Sequence, residues 1–387
     1  MQIDRRKFLT GVGTAGGIAL AGCTGGPTDG GDGGSTPTST PEPTETEGPD
    51  SGGETETETQ SPTPSDPINV GMVYATGGLG DGSFNDQAQQ GIQQAEEDFG
   101  ISYGEAQPSA VSEFANFQQQ FARSTDPTYE LICCIGFLQA SALSENAPDF
   151  LDQEFMIVDS VVEADNVASY VFAEHEGSYL VGQLAGLLTT RDFSAGAGST
   201  TGDSTNVGFV GGVESPLIRR FQAGYEAGVK AADEDVDIQT SYVGDFNAPT
   251  AGKEAALAMY DSGADIVYHA AGNTGTGVFQ AAQEQGKFAV GVDRDQSVTK
   301  DSYANVILAS MVKRVDTAVY NAVEAVVNDE FEGGTTTALG LDDDGVGIVY
   351  GQQLGSSIPS GVKDAISGSR QSIIDGDISV PTDPGNV

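Results

Sequence analysis

Basic residues are what this chain most lacks. Its 387 residues hold 16 Lys and Arg against 57 Asp and Glu, a formal net charge of −41. Such a surface repels nucleic acid and anionic lipid, so neither is expected as a partner. It also repels itself, and screening over about 3 Å at molar salt removes that cost. The balance is that of a halophile's exported protein. Histidine is scarce too: His175 and His269 stand far apart, without metal-ligand spacing. There is no phosphate loop and no nucleophile elbow. No catalytic residue, metal or cofactor is therefore expected. The run Asp342-Asp343-Asp344 reads as solvated charge rather than a calcium site in so acidic a chain. Only three cysteines are present. Cys133 and Cys134 are adjacent in an apolar run and point to opposite faces of a strand, as small core residues do, so no disulfide framework is readable.

No apolar run is long enough to cross a bilayer. The stretch from Leu9 to Ala21 has roughly 13 residues where about 20 are needed. Before it stands Arg5-Arg6-Lys7-Phe8-Leu9, a twin-arginine export signal, and after it Leu20-Ala21-Gly22-Cys23, a lipobox. Residues 1–23 are thus expected to be a processed signal, with Cys23 lipidated and anchoring the protein on the outer face of the cell membrane. One acyl chain anchors weakly, so more than one is expected. Residues 24–67 lack Lys and Arg and are dense in Thr, Pro, Gly, Ser and Glu. They are expected to form a disordered tether.

From Ile68 the composition turns globular. Short apolar runs stand at Ile68–Tyr74, Leu131–Ile135, Phe155–Val158, Ala168–Phe172, Val207–Val210, Ile266–His269, Phe288–Val292 and Val306–Ala309. Helical spacing follows most of them, as in Asp86–Phe99, Gly177–Leu188 and Ile218–Ala232. This alternation predicts an α/β fold with parallel sheets covered on both faces. The length suits two such sheets. Ligands in open α/β folds bind at loops after the carboxyl ends of strands, which selects 75–86, 136–141, 211–221, 270–277, 293–296 and 310–314.

Two constellations fall in those loops. The turn Gly77-Gly78-Leu79-Gly80-Asp81-Gly82-Ser83-Phe84-Asn85-Asp86 precedes a helix, with Ser83 or Asn85 as expected caps. Phe84 either covers this loop or offers a flat apolar face to a ligand. Asp293 and Lys313 stand at strand ends, and Lys313 is one of only six lysines beyond the signal. They either grip hydroxyls of a sugar or form structural salt bridges.

At these residues the chain resembles the basic membrane protein lipoproteins, purine nucleoside receptors of ABC importers, in a haloarchaeal form. The resemblance runs from about Ile68 to the C-terminus. It rests on the Ser83-Phe84-Asn85 turn, Glu176-Gly177-Ser178, and Val207 to Gly212 with Ile218-Arg219-Arg220-Phe221. Ala271-Gly272-Asn273-Thr274-Gly275, Gly291-Val292-Asp293-Arg294-Asp295-Gln296 and Lys313-Arg314-Val315 continue it. It implies a two-lobed periplasmic-binding-protein fold of type I, two Rossmann-like lobes joined by three crossovers. The implied division is residues 68–172 in the first lobe, 173–308 in the second, 309–335 back in the first, and 336–387 in the second and the tail. Phe84 and Phe221 would sandwich the base, Asn85 would bond its edge, and Gly272, Asp293 and Lys313 would hold the ribose. Where the family carries Asp near the base, this chain has Ala75 and Ser141.

The expected function is a non-catalytic, monomeric receptor that closes on a nucleoside and delivers it to a permease and its ATPase. The alternatives are a receptor for another small polar solute, such as a sugar or signalling molecule, and a nucleoside-processing enzyme. With Asp293 and Lys313 expected in opposing lobes, closure would make the sugar the more strictly read half.

Overall fold

Runs of Val, Ile and Phe can be buried on both faces only in a sheet that helices cover on each side. The chain builds two such sheets. The computed structural model describes residues 67–387 apart from 203, so the expected signal, lipobox and tether lie outside the described residues.

The first sheet has six parallel strands in the order Thr336–Leu339, Val167–Phe172, Glu154–Val158, Leu131–Cys134, Asn69–Val73, Ser102–Ala106. The second runs Val346–Tyr350, Ile307–Lys313, Phe288–Asp293, Ile266–Ala270, Asn206–Gly211, Asp237–Tyr242. Only Val346–Tyr350 is antiparallel to its neighbour there. The two orders correspond strand for strand, so, the antiparallel Val346–Tyr350 apart, each strand end in one lobe has a counterpart in the other. Cys133 and Cys134 are buried and pack into different clusters, Cys133 with Met72 and Ile92, Cys134 with Phe114 and Phe155.

Sequence periodicity passes over all four edge strands, among them Ser102–Ala106 and Asp237–Tyr242. These two are half exposed and read Ser-Tyr-Gly-Glu-Ala and Asp-Ile-Gln-Thr-Ser-Tyr, without an apolar run. It also passes over the hairpin of Asp192–Ala195 with Gly198–Thr201.

The chain crosses between the sheets three times: after Phe172, after Lys313 and after Leu339. The second and third crossings come later than the division implied by the resemblance. The apolar run ending at Ala309 continues as strand to Lys313 because Ser310 and Lys313 are themselves buried in the sheet. Thr336–Leu339 pairs with Val167–Phe172 in the first sheet.

Helices Glu174–Thr189 and Pro216–Ala232 cross with their backbones in contact. A Cβ at Gly182 would lie 2.1 Å from the Tyr225 carbonyl, and one at Gly228 would lie 2.0 Å from that of Tyr179. Only glycine fits such a crossing. It sets Glu174 at the start of one helix 3.6 Å from Arg220 on the other.

Candidate ligand-binding site

The strand ends converge on a cleft between the lobes, where ligands bind in open α/β folds. Its walls come in pairs. Phe84 opens the helix Phe84–Phe99 after the strand Asn69–Val73, and Phe221 lies in the helix Pro216–Ala232 after the counterpart strand Asn206–Gly211. Asp159 follows Glu154–Val158, and Asp293 ends Phe288–Asp293. Both aspartates hold left-handed backbone, φ 69° and 65°. That region is uncommon outside glycine, and strained backbone of this kind gathers at functional sites.

The pairing fails at one place. Phe172 ends its strand in the first lobe, and the counterpart in the second is Lys313. The Lys313 ammonium sits 4.9 Å from the centre of the Phe84 ring and 5.4 Å from those of Phe172 and Phe221. Cation–π attraction is strongest where water is excluded, as it is here.

The turn at 75–86 is held from within. Asp81 accepts from the backbone N–H of Ser83 at 2.8 Å, of Asn85 at 3.0 Å and of Asp86 at 3.3 Å. It therefore does the capping expected of Ser83 or Asn85. Ser83 is freed to donate its hydroxyl across the cleft to the Asp293 carboxylate. Thr299 donates to the Gly82 carbonyl at 2.8 Å and Arg294 to Gln90 at 2.8 Å, so the lobes are closed.

Charge gathers around Lys313. Its Nζ donates to Asp159 Oδ1 at 2.9 Å and Oδ2 at 2.7 Å, with both residues buried. Glu174 lies 3.8 Å from Lys313 and 3.6 Å from Arg220, and neither of its carboxylate oxygens has a hydrogen-bond partner. Burial raises the Glu174 carboxyl to about 7 against the pull of Lys313. Burial likewise raises Asp293 to about 6. Burial works against the Lys313 charge, but Asp159, Glu174 and Asp293 more than offset it and raise its pKa.

Phe84, Asn85, Phe221, Gly272, Asp293 and Lys313 all line this one cleft. Ser141 does not. It is exposed on the helix Ala140–Asn146, because buried Gln139 donates to the Val73 carbonyl at 2.7 Å and pins the preceding turn. Phe137 and Leu138 face the cleft instead. Asn85 is partly engaged: its Oδ1 accepts from the Ala75 N–H at 2.9 Å and its Nδ2 donates to Asp81 at 3.1 Å. One donor and one lone pair remain. Asp293 and Lys313 end neighbouring strands of the same sheet, not opposing lobes. The groups that meet them across the cleft are Ser83 and Asp159. Sequence reasoning missed Asp159, Asp81, Phe137 and Phe246. The signal for Asp159 was its place just after an apolar strand, in the pattern that did select Asp293.

Comparison with known proteins agrees with this architecture. The family model for Bmp, the PnrA-like substrate-binding proteins of ABC transporters, matches residues 68–383. A protein of Listeria monocytogenes named CD4+ T-cell-stimulating antigen is 36% identical over 340 residues, covering 82% of this chain and 89% of its own. The ABC transporter nucleoside-binding protein BmpA of Lactococcus lactis is 32% identical, covering 81% and 89%. The crystal structure of an ABC transporter solute-binding protein from Aeropyrum pernix superposes with a TM-score of 0.72 at 28% identity, covering 82% of this chain and 94% of that one. The family, the Lactococcus protein and the Aeropyrum protein are binding proteins, not enzymes. The chain belongs to the Bmp family of PnrA-like ABC transporter substrate-binding proteins.

Proposed function

We propose that the protein captures a nucleoside of the purine type between its lobes and delivers it to the permease and ATPase of an importer. The observation that carries this reading is the pairing of Phe84 and Phe221 from opposite lobes beside a buried Lys313. Two phenyl rings suit a planar base, and the Lys313, Asp159 and Asp293 groups suit the hydroxyls of a ribose. The name of the Lactococcus relative supports the same class. Site roles follow: Phe84 and Phe221 stack on the base, Asn85 offers one contact to it, Asp293 and Lys313 hold the sugar, and Gly272, which packs against Phe246, borders the far end of the base. A nucleotide is disfavoured, because its phosphates would meet this acidic cluster.

The proposed setting is the outer face of a halophile's membrane. The protein leaves the cell folded by twin-arginine export, is held as a monomer by lipid on Cys23, and reaches its ligand on the residue 24–67 tether. The test is mass spectrometry of small molecules released when freshly purified receptor is denatured. A nucleoside is expected, and a free sugar in its place would overturn the reading.

A further inference from the structure

We propose that the apolar end of the cleft is a subsite for hydrophobic substituents, so that the receptor prefers nucleosides alkylated on the edge of the base far from the sugar. This rests on the nucleoside reading above.

Strand order gives the cleft a direction. Lys313 ends the second strand of its sheet, and Asp159 and Asp293 stand at the ends of the third strands, on the side toward the crossovers. Leu217 and Ile218 follow Asn206–Gly211, and Phe246 follows the edge strand Asp237–Tyr242, on the far side. Phe137 and Leu138 face them from the first lobe. The Phe137 and Phe246 rings meet edge to face, 6.4 Å apart at 80°, and join the lobes over that end. None of these five side chains can accept or donate a hydrogen bond.

The lining amides do not make up the deficit. Asn85 is tied to Ala75 and Asp81 and keeps only one donor and one lone pair, Asn273 is tied to Asn247 and Thr276, and Asp81 already accepts four hydrogen bonds within its turn. Thr76 adds a single hydroxyl. With its ribose at Lys313, a purine turns its six-membered ring and the 6-substituent toward the apolar end. An amino or oxo group there leaves water and finds few partners. A methyl group there leaves water for Leu and Phe side chains.

The test is calorimetry at molar salt with adenosine, N6-methyladenosine and N6,N6-dimethyladenosine. Each methyl should tighten binding about fourfold, the worth of one buried methylene. In Leu138→Asn and Phe246→Ser the ratio of dimethyl to unmodified affinity should fall toward one, whatever either variant does to adenosine itself. Adenosine binding as tightly as its dimethyl derivative, or a ratio unchanged in both variants, overturns the subsite alone. Failure of every nucleoside to bind overturns the nucleoside reading and the subsite with it.

Discussion

Lys313 of the second lobe donates to both carboxylate oxygens of Asp159 in the first, at 2.9 and 2.7 Å, and both residues are buried. The pair spans the cleft, so it forms only when the lobes close. It does not stand alone, since Glu174 and Asp293 draw on the same ammonium.

Removing that ammonium leaves three buried acids without their shared counter-charge. Lys313→Met should therefore destabilise the protein by about 3–5 kcal/mol, the usual cost of breaking a buried ion pair from one side. Adding Asp159→Asn should recover part of the loss. Denaturant unfolding at molar salt measures both, and a Lys313→Met protein as stable as the parent would show that the cluster is not organised by charge.

Glu174 and Asp293 give stability a pH dependence of known sign. Their carboxyls titrate at about 7 and about 6 in the folded protein, above their ordinary 4.5 and 3.8. The unfolded chain ionises at the ordinary values, so the folded state holds extra protons in between. This contribution is fully present below the ordinary values and is lost as pH rises through about 7. Glu174→Gln cannot ionise. Its stability relative to the parent should rise between about pH 4.5 and 7 and level off above. A difference that stays flat across that range would place the Glu174 carboxyl in its ordinary range.

Phe84→Ala and Phe221→Ala should each weaken ligand binding without unfolding the protein. Both rings line the cleft beside Lys313. Base–aromatic stacking is worth roughly 1–3 kcal/mol, or about 5- to 150-fold in affinity. Calorimetry with the two variants reads this directly, and unchanged affinity in both would remove the sandwich.

The strands that frame the cleft are legible in the sequence because they are buried on both faces and so cannot carry alternating polar residues. Phe84, Asp293 and Lys313 are legible because each stands at or after a strand end, where ligands bind. Asp159 meets the same rule, but in an acid-rich chain nothing local separates it from other aspartates. Its role comes from Lys313, 154 positions away. The edge strands are lost for the opposite reason to the core ones, since half exposure lets Ser, Gly, Glu and Gln fill them. Ser141 was misplaced because the short turn at Phe137–Gln139 comes before it and leaves Phe137 and Leu138 facing the cleft.

Residues 68–387 carry 46 acids against 13 bases. At about 0.1 M salt that repulsion reaches about 10 Å before it is screened, and at molar salt only about 3 Å. The thermal midpoint followed by circular dichroism should therefore climb as salt is raised toward the molar range. A midpoint independent of salt would contradict the halophilic reading.

The central claim is that the cleft reads a ribose at its charged end. Titration of the purified receptor with inosine and 2′-deoxyinosine at molar salt tests it most directly. Each hydroxyl removed leaves a buried partner unpaired, at about 1–3 kcal/mol. Inosine should bind at one site per chain, and 2′-deoxyinosine about 5- to 150-fold more weakly. Equal affinity for the two would contradict the assignment of Asp293 and Lys313 to the sugar.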